Sequence, residues 1–587
     1  MRLNKYFLIF LSMLCFGYAK AQDITMKALP LEDLSAFKPQ AGNWQIVGDV
    51  TILPDVDIHA SAPTAETGKD KKGKKSKDKA PVAEHPNAVS FTAGKGILLN
   101  MNDETKKDNL VSAFEHGDIE LELEVMLPKG SNSGIYLQGR YEVQLLDSWG
   151  VKDAKYSDIG GIYRNWEKEP GKIYMGKAPL TNPAKAPGLW QKFKISFRAP
   201  RFNSAGEKIT NAKFVSVELN GVKIHDNVEV PLPTGGPIEN NEKPFGPLMI
   251  QGDHGPVAFR NVKYELVKEA SASLSNISYK TFYGNFKVVN DFANLKPAAM
   301  GTSPELTCEI LEREDQYAAI YAATLTVPEA GKYKFALAYT GGARLVINNQ
   351  QLINKQSTDS WESGVPASIE LKAGSYQIEI YNYKDASWAP PRLGLYLESA
   401  GARKPLHAFN SFPPDDNPTS PIFISVGSSP RLLRAFLNFN NGGFNQRLTH
   451  TIGVGDPSGT HYVYDLKSGN LACVWHGDFV DATPMWHDRG DGSFRPRGAV
   501  QYLFNNEPLA FLSSTTESFP VMLKETELSN TKYKGKGYII EENSGRPVFL
   551  YSYDGIEVED KIYPDDDNKI ITHEVVIKNR GTKPGLY

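Results

Sequence analysis

Ser133-Gly134-Ile135-Tyr136-Leu137-Gln138-Gly139-Arg140-Tyr141-Glu142-Val143-Gln144-Leu145-Leu146-Asp147 is the stretch on which the reading of this chain turns. From Tyr136 to Gln144 every second residue is polar or amphipathic: Tyr136, Gln138, Arg140, Glu142 and Gln144. Leu137, Gly139, Tyr141 and Val143 fall between them. Alternation with period two predicts one strand whose faces meet different surroundings. The polar face carries an arginine, a carboxylate, two carboxamides and an aromatic ring. It reads either as the lining of a sugar-binding groove or as the solvated outer face of a sandwich.

Around this stretch the chain reads as all-β. With 50 glycines, 38 prolines and 11% aromatic residues, it favours many short strands and turns over long helices. Its 587 residues exceed what one core absorbs, so three or four domains are expected. A net charge of -3 gives no electrostatic footprint for nucleic acid.

Arg2 and Lys5 precede an apolar run from Tyr6 to Tyr18, then Ala19-Lys20-Ala21. This predicts a signal peptide over 1–21 and a secreted, periplasmic or envelope-exterior protein with no later membrane span. Cys15 follows Leu14, a poor cleavage site for lipidation. Cys308 and Cys473 remain, and the sequence does not say whether they pair.

The first domain is assigned to 22–267, with a Lys-rich insert at 59–88 whose low apolar content cannot offset its ordering entropy. Strands are expected at Trp44–Val47, Asp118–Leu127, Phe193–Phe197, Phe214–Leu219 and Val257–Leu266. Asn220-Gly221 marks a tight hairpin. A linker over 268–276 leads to a second β domain over 277–400. A proline-rich linker over 401–419 precedes a β-rich region over 420–587, which is read as incomplete or complete with equal right.

Three residue sets in the first domain carry a family resemblance: Gly117–Glu122, then Gly130–Tyr136 with Tyr141–Asp147, and Ile250–Val262. The domain resembles the secreted 3-keto-disaccharide hydrolases, also described as 3-keto-glucoside lyases and hydratases. The resemblance implies a concanavalin/LamG-like jelly-roll sandwich, followed here by further β-sandwich domains. Gly331–Phe335, Ala343–Ile347 and Ala373–Tyr376 make 277–400 similar to a PA14 domain, without an obvious aspartate-rich calcium loop. Gly455–Tyr462 and Trp475–Phe479 resemble β domains that accompany secreted dehydrogenase-like proteins. No Cys-x-x-Cys-His occurs, so no haem is inferred, and no nucleotide cofactor is indicated.

The implied chemistry is cleavage of a 3-keto-glycoside, by hydrolysis or by elimination across C1–C2 followed by hydration. A C3 ketone acidifies the C2 hydrogen, so the reaction needs a base, an acid for the leaving oxygen and stabilisation of the developing oxyanion. A divalent metal ion is one way to supply the last. Glu142 is the first candidate for acid, base or ligand. Arg140 is read either as an oxyanion contact or as the ion-pair partner of Glu142. His254, in a Gly-Asp-His-Gly turn, is read as a base or as a turn-holding residue, with Asp253 orienting its ring or capping the loop. Gln138, Gln144 and Tyr136 are candidate hydroxyl contacts. Asp147 lies at a turn, either as a cap or at the groove rim. Asp158, Tyr163 and Trp166 form a loop over one end, and Trp149, Tyr163 or Trp166 either stack on sugar or pack in the core. In the C-terminal region His476, Asp478, His487 and Asp488 read as a cluster for sugar or metal, or as ordinary turn residues. The partner expected is an oxidised glycoside or a glycan. The rival reading is a non-catalytic glycan-binding envelope protein.

Overall fold

The computed structural model describes residues 26–59, 88–203, 205–267, 271–399, 402–413, 420–441, 444–487, 489–503, 507–520, 532–565 and 570–579. The signal peptide with Cys15, nearly all of the insert, parts of both linkers and Asp488 lie outside the described residues. What is described is almost entirely antiparallel sheet; the one α-helix among these residues is Thr483–Trp486.

In the first domain an eight-stranded sheet faces a four-stranded one. The larger sheet contains Trp44–Ile52 paired with Val89–Asn100, so strands on either side of residues 60–87 are hydrogen-bonded neighbours. Ile119–Met126 alternates Ile119, Leu121, Leu123 and Val125 inward against half-exposed glutamates, as a half-buried strand should. Asn220 and Gly221, both at positive φ, close the hairpin between Ala212–Leu219 and Val222–Val230. The smaller sheet runs in the order Leu110–His116, Gly246–Ile250, Asn132–Leu137, Tyr141–Leu146. Its inner face supplies Ile135, Leu137, Tyr141, Val143 and Leu145 to the shared core.

The single strand expected from Tyr136 to Gln144 is instead two strands of a hairpin. Gln138 and Gly139 both adopt positive φ (53° and 64°), and Arg140 N–H donates to Leu137 O at 3.0 Å. A turn of this hand matches the twist of the flanking strands. Glycine takes that conformation freely, whereas Gln138 is held in it by His116. The Gln138 backbone N–H donates to His116 Nε2 at 2.9 Å, and its side chain donates to His116 O and Pro244 O. Burial depresses His116 to about 4, so its ring is neutral and can accept that hydrogen bond. Leu137 pairs with Tyr141 across the turn, and this register keeps even-numbered residues on one face of both strands. The alternation therefore runs through the turn unbroken although the strand does not.

The second domain packs a six-stranded sheet on a four-stranded one, around a core that includes Tyr321, Phe335, Leu345, Ile380 and Leu395. The C-terminal region forms a seven-stranded and a four-stranded sheet. Cys308 and Cys473 are both buried and free.

Candidate active site

The register of the hairpin builds the site. Tyr136 is directly opposite Glu142, Gly134 opposite Gln144, and Met249 opposite Tyr136 from the other side. All lie on the face turned away from the core. Glu142 is only 2% exposed. Its Oε1 fills the space a Cβ at position 134 would take, 2.1 Å from that ideal position, so glycine at 134 makes room for the carboxyl. Turned with its nitrogen toward the carboxyl, the Gln144 amide donates to Glu142 Oε1 at 3.0 Å and to Ser133 O at 3.1 Å.

Burial, aided by the negative charge of Asp253 and opposed by the Tyr136 hydroxyl, pushes Glu142 up to about 8. The carboxyl thus holds its proton at neutral pH, as a general acid must. Tyr136 donates to Gly235 O at 2.9 Å and is itself pushed upward by burial and by Glu142. Its single hydrogen can serve Gly235 O while a protonated Glu142 donates to the phenol oxygen. It can turn to Glu142 when that group ionises.

His254 is half exposed and pairs with Asp253, whose charge is felt by both Tyr136 and Glu142. Its Nδ1 is 2.6 Å from Asp253 Oδ1 and 3.4 Å from Gln251 Nε2. The Asp253 hydrogen bond raises His254 above the ordinary imidazole value, and the same contact helps hold Asp253 below its own. The arrangement fixes the ring through Nδ1 and directs proton exchange to Nε2.

Arg140 does not join them. It is 2% exposed, and its guanidinium binds Gln138 O, Asn241 O, Asn241 Oδ1 and Glu239 Oε2. Neither of the expected roles, oxyanion contact or partner of Glu142, fits that geometry, because the turn swings Arg140 to the far end of the hairpin. Gln138 leaves the groove for the same reason. Asp147 accepts from the Gly130 and Trp149 backbone N–H groups, a turn role. Asp158 accepts from Ser148 Oγ and Lys155 N. Trp149 packs 6.0 Å from His476 of the C-terminal region.

Tyr163 and Trp166 come to the Tyr136–Glu142 side of the sheet. Tyr163 N–H donates to Glu142 O at 3.2 Å, extending the sheet past its edge, while its ring packs on Tyr156. Trp166 is 62% exposed and lies over Gly235 and Gly236, where a side chain at 235 would strike the indole at 2.5 Å. Gly236 also sits against the Tyr136 hydroxyl, so the indole and the phenol flank one backbone turn. Sequence reasoning missed Gly134, Gln251 and Thr234–Gly236. Gly134 was legible in principle as the small residue diagonal to Glu142, but only once the turn at Gln138-Gly139 is recognised.

A donor set for a divalent ion does not assemble here: among the described residues no three His, Cys, Asp or Glu side chains are placed to share one. His476 and Asp478 both line the contact with the first domain; His487 does not join them there.

Residues 65–265 match the 3-keto-alpha-glucoside-1,2-lyase-like domain. Residues 279–407 match the PA14 domain. The first match covers the domain that contains Glu142. Among solved structures the chain is similar to a protein from Parabacteroides distasonis assigned as a glycosyl hydrolase, with 26% identity over 30% of this chain and 75% of that one, at a TM-score of 0.24. A second such protein from the same organism has 21% identity over 29% and 86%, at 0.20. No curated protein matches the chain.

Proposed function

We propose that this is a secreted carbohydrate-active enzyme that cleaves the glycosidic bond of 3-keto-glycosides. The observation that carries the reading is a buried, proton-bearing Glu142 on the polar face of the smaller sheet, close enough to the Asp253–His254 turn to feel the charge of Asp253. The match of residues 65–265 and the apolar leader over 1–21 support it.

In the proposed route neutral His254 takes the C2 proton of the keto sugar. The C–H electrons form the C1=C2 bond conjugated with the C3 ketone, and the C1–O bond breaks. Glu142 passes its proton to the departing oxygen, which leaves as an alcohol. Water then adds at C1: ionised Glu142 takes a proton from the water, and His254 returns its proton to C2. The sum is hydrolysis, and stopping after the first half gives the lyase product. Trp166 offers an exposed indole face to a sugar ring next to the acid.

The test is incubation of the purified full-length chain with a 3-keto-disaccharide, following release of the unoxidised sugar and the absorbance of an enone. Glu142→Gln is expected to lose about 10²- to 10⁴-fold in kcat, the range for a positioned acid. Saturable glycan binding without turnover by the wild type would reject the proposal in favour of a binding module.

A further inference from the structure

The segment that carries Tyr163 and Trp166 has little regular structure of its own, and fixing such a loop costs entropy at every residue. It is tied down at three places. On the groove side Gln144 N–H donates to Gly161 O at 2.8 Å and Tyr163 N–H to Glu142 O; Ile162 and Lys177 exchange two backbone hydrogen bonds at 3.0 and 2.8 Å. In the middle, His225 Nε2 lies 2.7 Å from Gly160 O.

The third tie is to the C-terminal domain. Thr181 Oγ1 lies 2.8 Å from both Asp478 Oδ2 and Arg497 O. Arg497 donates to Leu180 O at 2.6 Å, pairs with Asp478 at 3.1 Å and lies 3.6 Å over the Phe423 ring. Asn182, next in the chain, donates to Ser148 O and Val151 O and so fastens the start of the same loop. Trp149, at that start, packs on His476. Thr181, Asn182 and Arg497 are buried while the Asp478 carboxylate is 39% exposed, so the first-domain side of the contact is desolvated and its hydrogen bonds depend on their partners.

We propose that the C-terminal domain is a positioning element of the groove: through Asp478 and Arg497 it clasps Leu180–Asn182 and holds the Tyr163–Trp166 wall over Glu142. Residues far along the sequence from the acid thus preorganise the sugar-binding wall, and Thr181, Asp478 and Arg497 act on substrate affinity without touching substrate. Preorganisation of this kind improves binding by removing an ordering cost otherwise met when ligand arrives. The kinetic part rests on the function proposed above.

The experiment uses the full chain with Asp478→Ala and Thr181→Val, each read by amide hydrogen exchange and by steady-state kinetics on a 3-keto-disaccharide. Exchange at 160–166 and 174–182 is expected to quicken in both variants while exchange in the Asn132–Leu137 strand stays as in the wild type. KM is expected to rise between about twofold and tenfold, no more than loss of the wall's aromatic contact itself would give, with kcat within twofold. Asp478→Asn, which keeps an acceptor for Thr181, should restore most of the affinity. Unchanged exchange would overturn the clasp. Quickened exchange with an unchanged KM would overturn the positioning role. A wild type without turnover would reject the proposed function, while the exchange measurement would still decide whether the clasp exists.

Discussion

Tyr136 and Glu142 are direct partners across two antiparallel strands, although the alternation in sequence suggests neighbours along one. That pairing puts a phenol hydroxyl beside a buried carboxyl, and the glycine at 134 gives the carboxyl its space. It also separates Glu142 from Arg140, whose charge would otherwise keep the carboxyl ionised. The acid owes its proton to burial and to the turn that carries the arginine away.

Glu142 therefore makes stability depend on pH in a definite direction. Its folded-state pKa of about 8 lies above the unfolded value, so between the two the folded protein binds the extra proton. Stability contributed by protonated Glu142 is full below the unfolded value and declines as pH rises toward 8, by a few kcal/mol at most. Buried neutral histidines such as His116 gain stability over the same range, so the loss should show in denaturant unfolding as a change between pH 5 and pH 8 in the stability of the wild type relative to Glu142→Gln, which cannot titrate.

Gly134→Ala should damage activity more than stability. The added methyl meets Glu142 Oε1 at 2.1 Å and must displace the carboxyl from its place between Gly134 and Gln144. Overpacking of this size costs roughly 1–3 kcal/mol. The predicted outcome is a cooperative unfolding transition at lower denaturant together with a kcat at least about tenfold down. A variant with wild-type turnover would mean that the carboxyl does not act from this position.

Much of this was legible in the sequence. Period-two strands, the Asn220-Gly221 hairpin and the sandwich class follow from local patterning. The polar face with Tyr136, Glu142 and Gln144 was identified because the register of the turn preserves the parity of the alternation. The turn itself was not, since Gln138 is a poor residue for positive φ and needs His116, distant in sequence, to hold it. Arg140 was misplaced for the same reason. Contacts such as Thr181 with Asp478 come from domain packing, which no periodicity encodes.

Arg140→Met should behave as a structural change. The buried guanidinium ties the turn to Asn241 and Glu239, which are exposed and regain water when it is lost, but its loss strands Gln138 O in a fully buried residue. An unsatisfied buried acceptor costs about 1–3 kcal/mol. Thermal unfolding is expected at a lower temperature, with the pH optimum of the surviving activity unmoved. A shifted optimum would instead tie Arg140 to the titration of Glu142.

Trp166→Ala tests the exposed platform. With the indole gone, a sugar ring loses its stacking surface while Glu142 and His254 are untouched, so KM should rise about tenfold at little cost in kcat, in line with roughly 0.5–1.5 kcal/mol for an aromatic contact. Equal KM values would place the sugar elsewhere on the sheet.

The pH dependence of kcat/KM brings the two titrating groups together. His254 must be neutral to accept the C2 proton, and its ion pair with Asp253 moves that requirement above the ordinary imidazole value. Glu142 must be protonated, a condition lost near pH 8. The profile should be a narrow bell: the acid limb belongs to His254 and the alkaline limb to Glu142. Asp253→Asn removes the charge that raises both groups. His254, raised chiefly by Asp253, then titrates lower, while Glu142, raised chiefly by burial, moves down less, so the acid limb should shift further than the alkaline limb and the bell should widen. Movement of one limb alone would show that Asp253 acts on only one of the two.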